Sequence, residues 1–190
     1  MRPLCYLNIE VRGVVTPGRG FAKGSGLRAV LAVSRIMHAL HAKFKEQPDT
    51  FATDFPAMVN GPNKNPGHIV RVFAASREAL DALAEKVESD RFLSDLAIVG
   101  RVRAFNPDTH AGPWVSLRRF RVAPRAQSIN RERDMLTALE LPFIRTRSST
   151  NGNAYTLTLQ RAARAHGEFG CPNSYGLSGM SDLTLPDIPI

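Results

Sequence analysis

Two stretches decide the fold: Leu4-Cys5-Tyr6-Leu7-Asn8-Ile9-Glu10-Val11, and the segment from Leu27 to Lys45. In the first, Leu4, Tyr6, Asn8 and Glu10 alternate with Cys5, Leu7, Ile9 and Val11, the two-residue period of a strand. In the second, Val30, Val33, Met37, Leu40 and Phe44 recur every three or four residues, so the period is helical and one stripe faces a core. Between them Pro17 to Gly26 holds Gly18, Gly20, Gly24 and Gly26 and reads as a loop. Phe51 to Met58 follows as a short strand. Asn60 to Gly67 is a turn, rich in Asn, Pro and Gly. His68 to Ala75 is a strand, Ser76 caps a helix over Arg77 to Val87, and Leu96 to Phe105 is a fourth strand. The order strand, helix, strand, strand, helix, strand predicts an α+β chain that starts with a ferredoxin-like (RRM-like) βαββαβ domain.

Beyond Asn106-Pro107 the pattern is shorter and less regular. Trp114 to Val122 reads as a strand, Ile129 to Leu139 as a short helix, and Leu141 to Thr146 and Tyr155 to Leu159 as two strands flanking a polar hairpin tip, Arg147 to Asn153. The division expected is 1–106 for the ferredoxin-like domain and 107–190 for a smaller arginine-rich α/β domain.

Composition bounds what such a chain does. Its 190 residues, 43% hydrophobic and 22% charged, are ordinary for a globular protein. A chain of this length buries about 70% of its unfolded surface and needs no staple. The two cysteines, Cys5 and Cys171, cannot make a disulfide framework or a four-thiolate metal site. No apolar run approaches a membrane span. Met1 to Tyr6 runs straight into a strand pattern with no leader-like core, so a cytoplasmic protein is expected.

The net charge is +8, and its distribution is uneven. Residues 101–190 hold 12 basic side chains, all arginine, between Arg101 and Arg164, a window with only Asp108, Glu132, Asp134 and Glu140 as acids. Arginine favours forked contacts to phosphate and guanine and stacks on bases. Excess positive charge of this kind points to a polyanionic partner, nucleic acid or an anionic membrane.

Of the five histidines, His38 and His41 share the first helix one turn apart, with Ser34 and Lys45, on the side away from the apolar stripe. A metal pair is one reading, but no Asp, Glu or Cys stands nearby at ligand spacing. A proton-transfer imidazole is another, since histidine ordinarily titrates near neutrality. Periodicity by itself favours two solvated side chains. Gly18-Arg19-Gly20-Phe21-Ala22-Lys23-Gly24-Ser25 lacks the ending of a phosphate-binding P-loop and reads as a connection. Trp114 and Tyr155 are candidates for base stacking or for plain core packing.

Leu141-Pro142-Phe143 leads into Arg147-Ser148-Ser149-Thr150-Asn151-Gly152, and Ser174-Tyr175-Gly176-Leu177-Ser178 follows. With a histidine in the first helix, this resembles the CRISPR repeat-processing endoribonucleases of type I-F systems, the Csy group, in a shortened form. The resemblance implies metal-independent cleavage of repeat hairpins in pre-crRNA by 2′-hydroxyl attack, with no cofactor. It also implies a protein that stays on the stem-loop RNA beside other Cas subunits of an interference complex. His38 takes the place of the family's general base, with His41 as its competitor. Ser148 would hold the ribose, with Ser149 as the one-residue alternative, and Tyr175 would orient the histidine or lie near the phosphate. Arg119 and Arg121, next to Arg118, fall where the family reads bases at the foot of the stem, and Tyr155 matches a stacking aromatic. Arg147 and Thr150 belong to the hairpin expected to touch RNA. Family members carry a long arginine-rich helix before Leu-Pro-Phe; here Ala123 to Glu140 holds only Arg125, Arg131 and Arg133. The alternative reading is a non-cleaving stem-loop binder of the same fold.

Overall fold

The computed structural model describes every residue except 13–14, 17–19, 22–24, 123–129, 148–151 and 180–181, with side chains also left aside at 15–16, 20–21 and 25–28. Ser148, Ser149, Thr150 and Arg125 therefore lie outside the described residues.

The elements run β1 (Cys5–Val11), β2 (Val15–Thr16), β3 (Gly20–Phe21), α1 (Ser25–Glu46), β4 (Phe51–Asp54), β5 (Ile69–Ala74), α2 (Arg77–Ser89), α3 (Arg91–Leu96), β6 (Ala97–Val99) and β7 (Arg103–Ala104). They continue with β8 (Trp114–Phe120), α4 (Arg131–Glu140), β9 (Phe143–Arg147), β10 (Ala154–Arg164) and β11 (Leu185–Pro186). The first large sheet has the order β4-β5-β1-β6, all antiparallel, with β7 also on β1. That order is the ferredoxin-like one, and the chain is α+β as its periodicities predict. The second sheet has the order β11-β8-β10-β9, antiparallel throughout.

Three local features differ from the sequence expectation. The predicted glycine-rich loop contains β3, paired antiparallel with β2 over two residues. The predicted fourth strand is two pieces, β6 and β7. Between them the Gly100 amide donates to Asn8 O at 2.7 Å, and a Cβ at Gly100 would press on that same oxygen. Before β6, Asp90 caps the short helix α3 by accepting from the Phe92 and Leu93 amides. Ser76 caps α2 as expected, accepting from the Ala79 amide at 3.2 Å.

Alternation assigns each face of the first sheet. Cys5, Leu7, Ile9 and Val11 with Val70, Val72 and Ala74 face the helices, and the stripe Val33, Ile36, Met37, Leu40 and Phe44 of α1 packs on them. The same core continues into Leu117 of β8, Ile144 of β9, and Leu157 and Leu159 of β10. The two sheets thus share a hydrophobic interior, with α1 between the first sheet and β9. On the far face of the first sheet Tyr6, Ala52 and Phe73 meet Val115, Leu183 and Leu185, which is why every residue of β5 is buried.

Polar side chains tie that far face. Asp54 of β4 is fully buried and receives Arg161 of β10 at 2.9 and 3.1 Å, while Arg161 also binds Asp187 at 2.6 Å. Burial works against the Arg161 charge, but the bonds to Asp54 and Asp187 outweigh it and hold the guanidinium's pKa above its ordinary value. Arg71 of β5, almost fully buried, donates to Asn8 Oδ1 at 2.8 Å and to the carbonyls of Ile188 and Pro189. The carboxy-terminal segment is thereby fastened across both sheets.

Removing one partner of a buried ion pair strands the other charge, at a cost of about 3–5 kcal/mol. Arg161→Leu is expected to lower the unfolding free energy by that amount in urea titration. A loss below about 1 kcal/mol would show that Asp54 finds another partner or water.

Candidate active site

The site forms on the second face of α1. Ser34, His38 and His41 stand at i, i+4 and i+7, one polar stripe along the helix. β9 is the edge of its sheet, so its outward N–H groups have no strand partner. Ser34 answers one of them: its Oγ accepts from the Arg145 amide at 2.8 Å and donates to Val30 O at 2.5 Å. One turn on, His38 Nδ1 lies 3.4 Å from Thr146 Oγ1. One turn further, His41 Nδ1 lies 2.5 Å from Ser174 O. A carbonyl only accepts, so in the neutral ring the His41 proton sits on Nδ1 and the lone pair on Nε2.

The two histidines occupy different environments. His38 is exposed, whereas His41 is 7% exposed and lies flat against Tyr175, ring centroids 3.8 Å apart and planes 3° apart. The expectation of two solvated histidines on a helix surface is thus corrected for His41. The second sheet and the 173–178 turn cover it, a fact outside the reach of helical periodicity. Burial, the main cause, pushes the His41 pKa down; the Ser174 carbonyl pulls the other way, and Lys45 and His38 add to the depression.

Tyr175 is fixed by its turn. Asn173 Oδ1 accepts from the Tyr175 amide at 2.8 Å and the Leu177 amide at 3.2 Å, and the Ser178 amide donates to Leu117 O of β8 at 2.7 Å. Gly176 has φ +73°, the left-handed region, and a Cβ there would collide with Thr53 of β4. The Thr53 amide donates to Gly176 O at 2.7 Å. The Ser174-Tyr175-Gly176-Leu177 string is therefore a clasp between the sheets that presents one phenol. That phenol bonds the Tyr155 hydroxyl and lies within reach of Thr146. Burial first, then the Tyr155 bond, push its pKa up to about 12, so it stays protonated at neutral pH.

Arg119 extends the group: its guanidinium lies over the Tyr155 ring, 5.7 Å from the centroid. Strand alternation puts Arg119 on the face of the buried Leu117 and puts its neighbour Arg118, itself exposed, on the opposite face. The structure thus brings together His38, Thr146, Tyr175, Tyr155, Arg119 and, at the end of β9, the exposed Arg147, which leads into residues 148–151. Arg121 is exposed just past β8. Arg131 opens α4, which is joined to the 59–65 turn through Glu140 O and the Gly61 amide at 2.7 Å. Thr146 was legible only as the polar residue sharing the inward face of Ile144; nothing local marked it as the link between His38 and Tyr175.

Among the described residues no group of three or more His, Cys, Asp or Glu side chains is placed to hold a metal ion, and no helix is long and apolar enough to cross a membrane.

A family model described as "CRISPR-associated protein (Cas_Csy4)" matches residues 26–187. The chain belongs to this Cas_Csy4 family. It is a CRISPR-associated, repeat-processing protein, and the match takes in α1 with both histidines, the arginine strand β8, the β9–β10 hairpin and the Tyr175 clasp. No curated protein matches the chain.

For His41 the depressed pKa sets a pH dependence of stability. Protonation is harder in the folded chain than in the unfolded one, whose histidines titrate near 6.5. The folded state therefore loses stability as pH falls below 6.5 toward the lowered folded value. His68, lowered mainly by its own burial, contributes in the same direction. Urea midpoints are expected to drop between pH 7 and pH 5, with a shallower drop in His41→Gln and the remainder carried by His68. Identical slopes in both proteins would show that His41 is not buried as described.

Proposed function

We propose that the chain is a metal-independent endoribonuclease of a type I-F CRISPR system that cuts repeat hairpins in pre-crRNA and stays with the product beside other Cas subunits in the cytoplasm. In this reading residues 1–106 carry the histidine helix and 107–190 the RNA-recognition elements. The observation that carries it is His38: an exposed imidazole of α1, at the mouth of a cationic cleft, held against β9, the strand whose last residue, Arg147, precedes Ser148.

The chemistry asks little beyond alignment, proton transfer and charge stabilisation. His38 takes the proton of a ribose 2′-hydroxyl. The 2′-oxygen attacks the adjacent phosphorus, the bond from phosphorus to the 5′-oxygen breaks, and that oxygen receives a proton as it leaves. The products are a 2′,3′-cyclic phosphate and a 5′-hydroxyl. Ser148, with Ser149 as its neighbour in the same tip, holds the ribose. Tyr175 is a positioning residue: protonated and clasped, it keeps Thr146 and His41 in place behind His38. Arg119, Arg121 and Arg118 on and beside β8, Arg147 and Thr150 at the hairpin, and Arg125 and Arg131 before and in α4 supply phosphate and base contacts. Arg119, with Tyr155 beneath it, is the member best placed to present a fork to guanine, a contact worth about 1–3 kcal/mol of discrimination.

α4 bears on how the stem is gripped. It has ten residues, offers only Arg131 and Arg133 as cations against Glu132, Asp134 and Glu140, and exposes Met135, Leu136 and Leu139. A groove-filling arginine helix is not what this element provides, so the stem's hold rests chiefly on β8 and the β9–β10 hairpin, with Arg125 and Arg131 adding single contacts.

His38→Ala is expected to bind the repeat hairpin within twofold of the parent and to cut it roughly 10²–10⁴-fold more slowly, the usual worth of a positioned proton carrier. Cutting by the parent continues in EDTA. Binding without cutting by the parent would favour the non-cleaving binder. Normal cutting by His38→Ala with loss in His41→Ala would transfer the base to His41.

A further inference from the structure

Beside His38 an open groove of about 530 Å³ runs between α1, α3 and the β9–β10 hairpin. Its volume is that of a small-ligand site. The walls are apolar: Leu31 of α1 and Phe92 of α3 remain 43% and 53% exposed, with Ala39 and Ala154 between them. The rim is cationic, formed by Arg35, Arg145 and Arg147. Among the described residues no carboxylate pairs with any of the three. The Arg35 guanidinium lies over the Phe92 ring, 5.5 Å from its centroid. The two hydroxyls in the wall are already engaged, Ser34 with Val30 O and the Arg145 amide, Thr146 with His38 and Tyr175. The groove therefore offers a flat apolar surface and positive charge, and neither hydroxyl is spare for reading a base edge. That combination suits one stacked base with its phosphates outside.

Position along α1 selects which base. His41 meets Tyr175 at one end, next to Tyr155 and Arg119; His38 meets Thr146 in the middle; Ser34 meets Arg145 at the other end, where the groove lies. An RNA held on the arginine strand and reacting at His38 continues into this groove.

We propose that the groove takes the unpaired nucleotide on the far side of the reacting phosphodiester from the hairpin, its base against Phe92 and Leu31 and its phosphates on Arg35 and Arg145. The proposal rests on the endoribonuclease reading. Holding both nucleotides that flank the phosphorus fixes the leaving oxygen in line with the attacking one. Phe92 is a positioning residue here, and the identity of the base matters little because every base has a face to stack.

The test uses a repeat hairpin with a 2′-deoxy sugar at the cut site, so that it binds without reacting, and 2-aminopurine as the flanking base. Its fluorescence is expected to fall severalfold on binding the parent chain and to stay near the free value with Phe92→Ala. A hairpin that ends at the cut site should bind both proteins equally, which shows that Phe92→Ala is folded. In single-turnover cleavage of the all-ribose substrate, an abasic flanking site should slow the parent by about 5–150-fold, the rate equivalent of one stacked base. The same change should have little effect on Phe92→Ala. Unchanged fluorescence with the hairpin bound, or quenching that survives Phe92→Ala, overturns the groove assignment and leaves the endoribonuclease reading standing. Failure of the parent to bind the hairpin at all overturns both.

Discussion

A sheet edge has to be covered, and here the cover is a helix whose other side is already buried. The Arg145 amide of β9 donates to Ser34 Oγ of α1 at 2.8 Å, and around that bond α1 lies between two sheets. Its apolar stripe packs on the first sheet, and its polar stripe of Ser34, His38 and His41 runs along β9 and the Tyr175 clasp. An unsatisfied buried amide costs about 1–3 kcal/mol, so the seam is fixed by more than shape. Because the stripe repeats every helical turn, placing Ser34 on Arg145 also places His38 on Thr146 and His41 on Tyr175. The register of one helix against one strand thus determines which imidazole is open to a substrate and which is walled in.

The difference between the two histidines follows from that register. His41 loses most of its solvent, donates to a carbonyl and stacks on a phenol held protonated. It behaves as structure, and its lowered pKa makes it a source of acid sensitivity. His38, three residues earlier, faces outward into a cleft with arginines on its rim. A proton carrier needs access to its partner as well as a suitable pKa, and only His38 has the access.

How much of this was legible before coordinates depends on the range of each signal. The strand at 5–11, the long helix, the Ser76 cap and the βαββαβ order rest on periodicity and capping within a few residues of one another, and sequence carries such signals directly. α3, the break at Gly100 and the two-residue β11 are too short to have a period. The burial of His41 was illegible because a helix's own pattern marks its most apolar face and is silent about a second cover supplied by residues 174–175. The Asp54–Arg161–Asp187 cluster joins positions far apart in the chain, with no local mark on any of them. Of the site residues named from the sequence, His38, Tyr175, Tyr155, Arg119 and Arg147 lie in one neighbourhood. Arg118 lies on the other face of its sheet, because neighbours in a strand alternate. Arg131 belongs to α4 against the 59–65 turn. The family resemblance could nominate Ser148, Thr150 and Arg125, and they fall in segments outside the described residues.

The central claim is that an imidazole on this helix turns an RNA's own 2′-oxygen into the nucleophile. Mass spectrometry of the 3′ ends left on repeat RNA by the purified chain tests it most directly. The account predicts a terminal 2′,3′-cyclic phosphate on the upstream fragment and a 5′-hydroxyl on the downstream one. A 3′-hydroxyl paired with a 5′-phosphate would mean that water, and not the ribose, had attacked, and would contradict it.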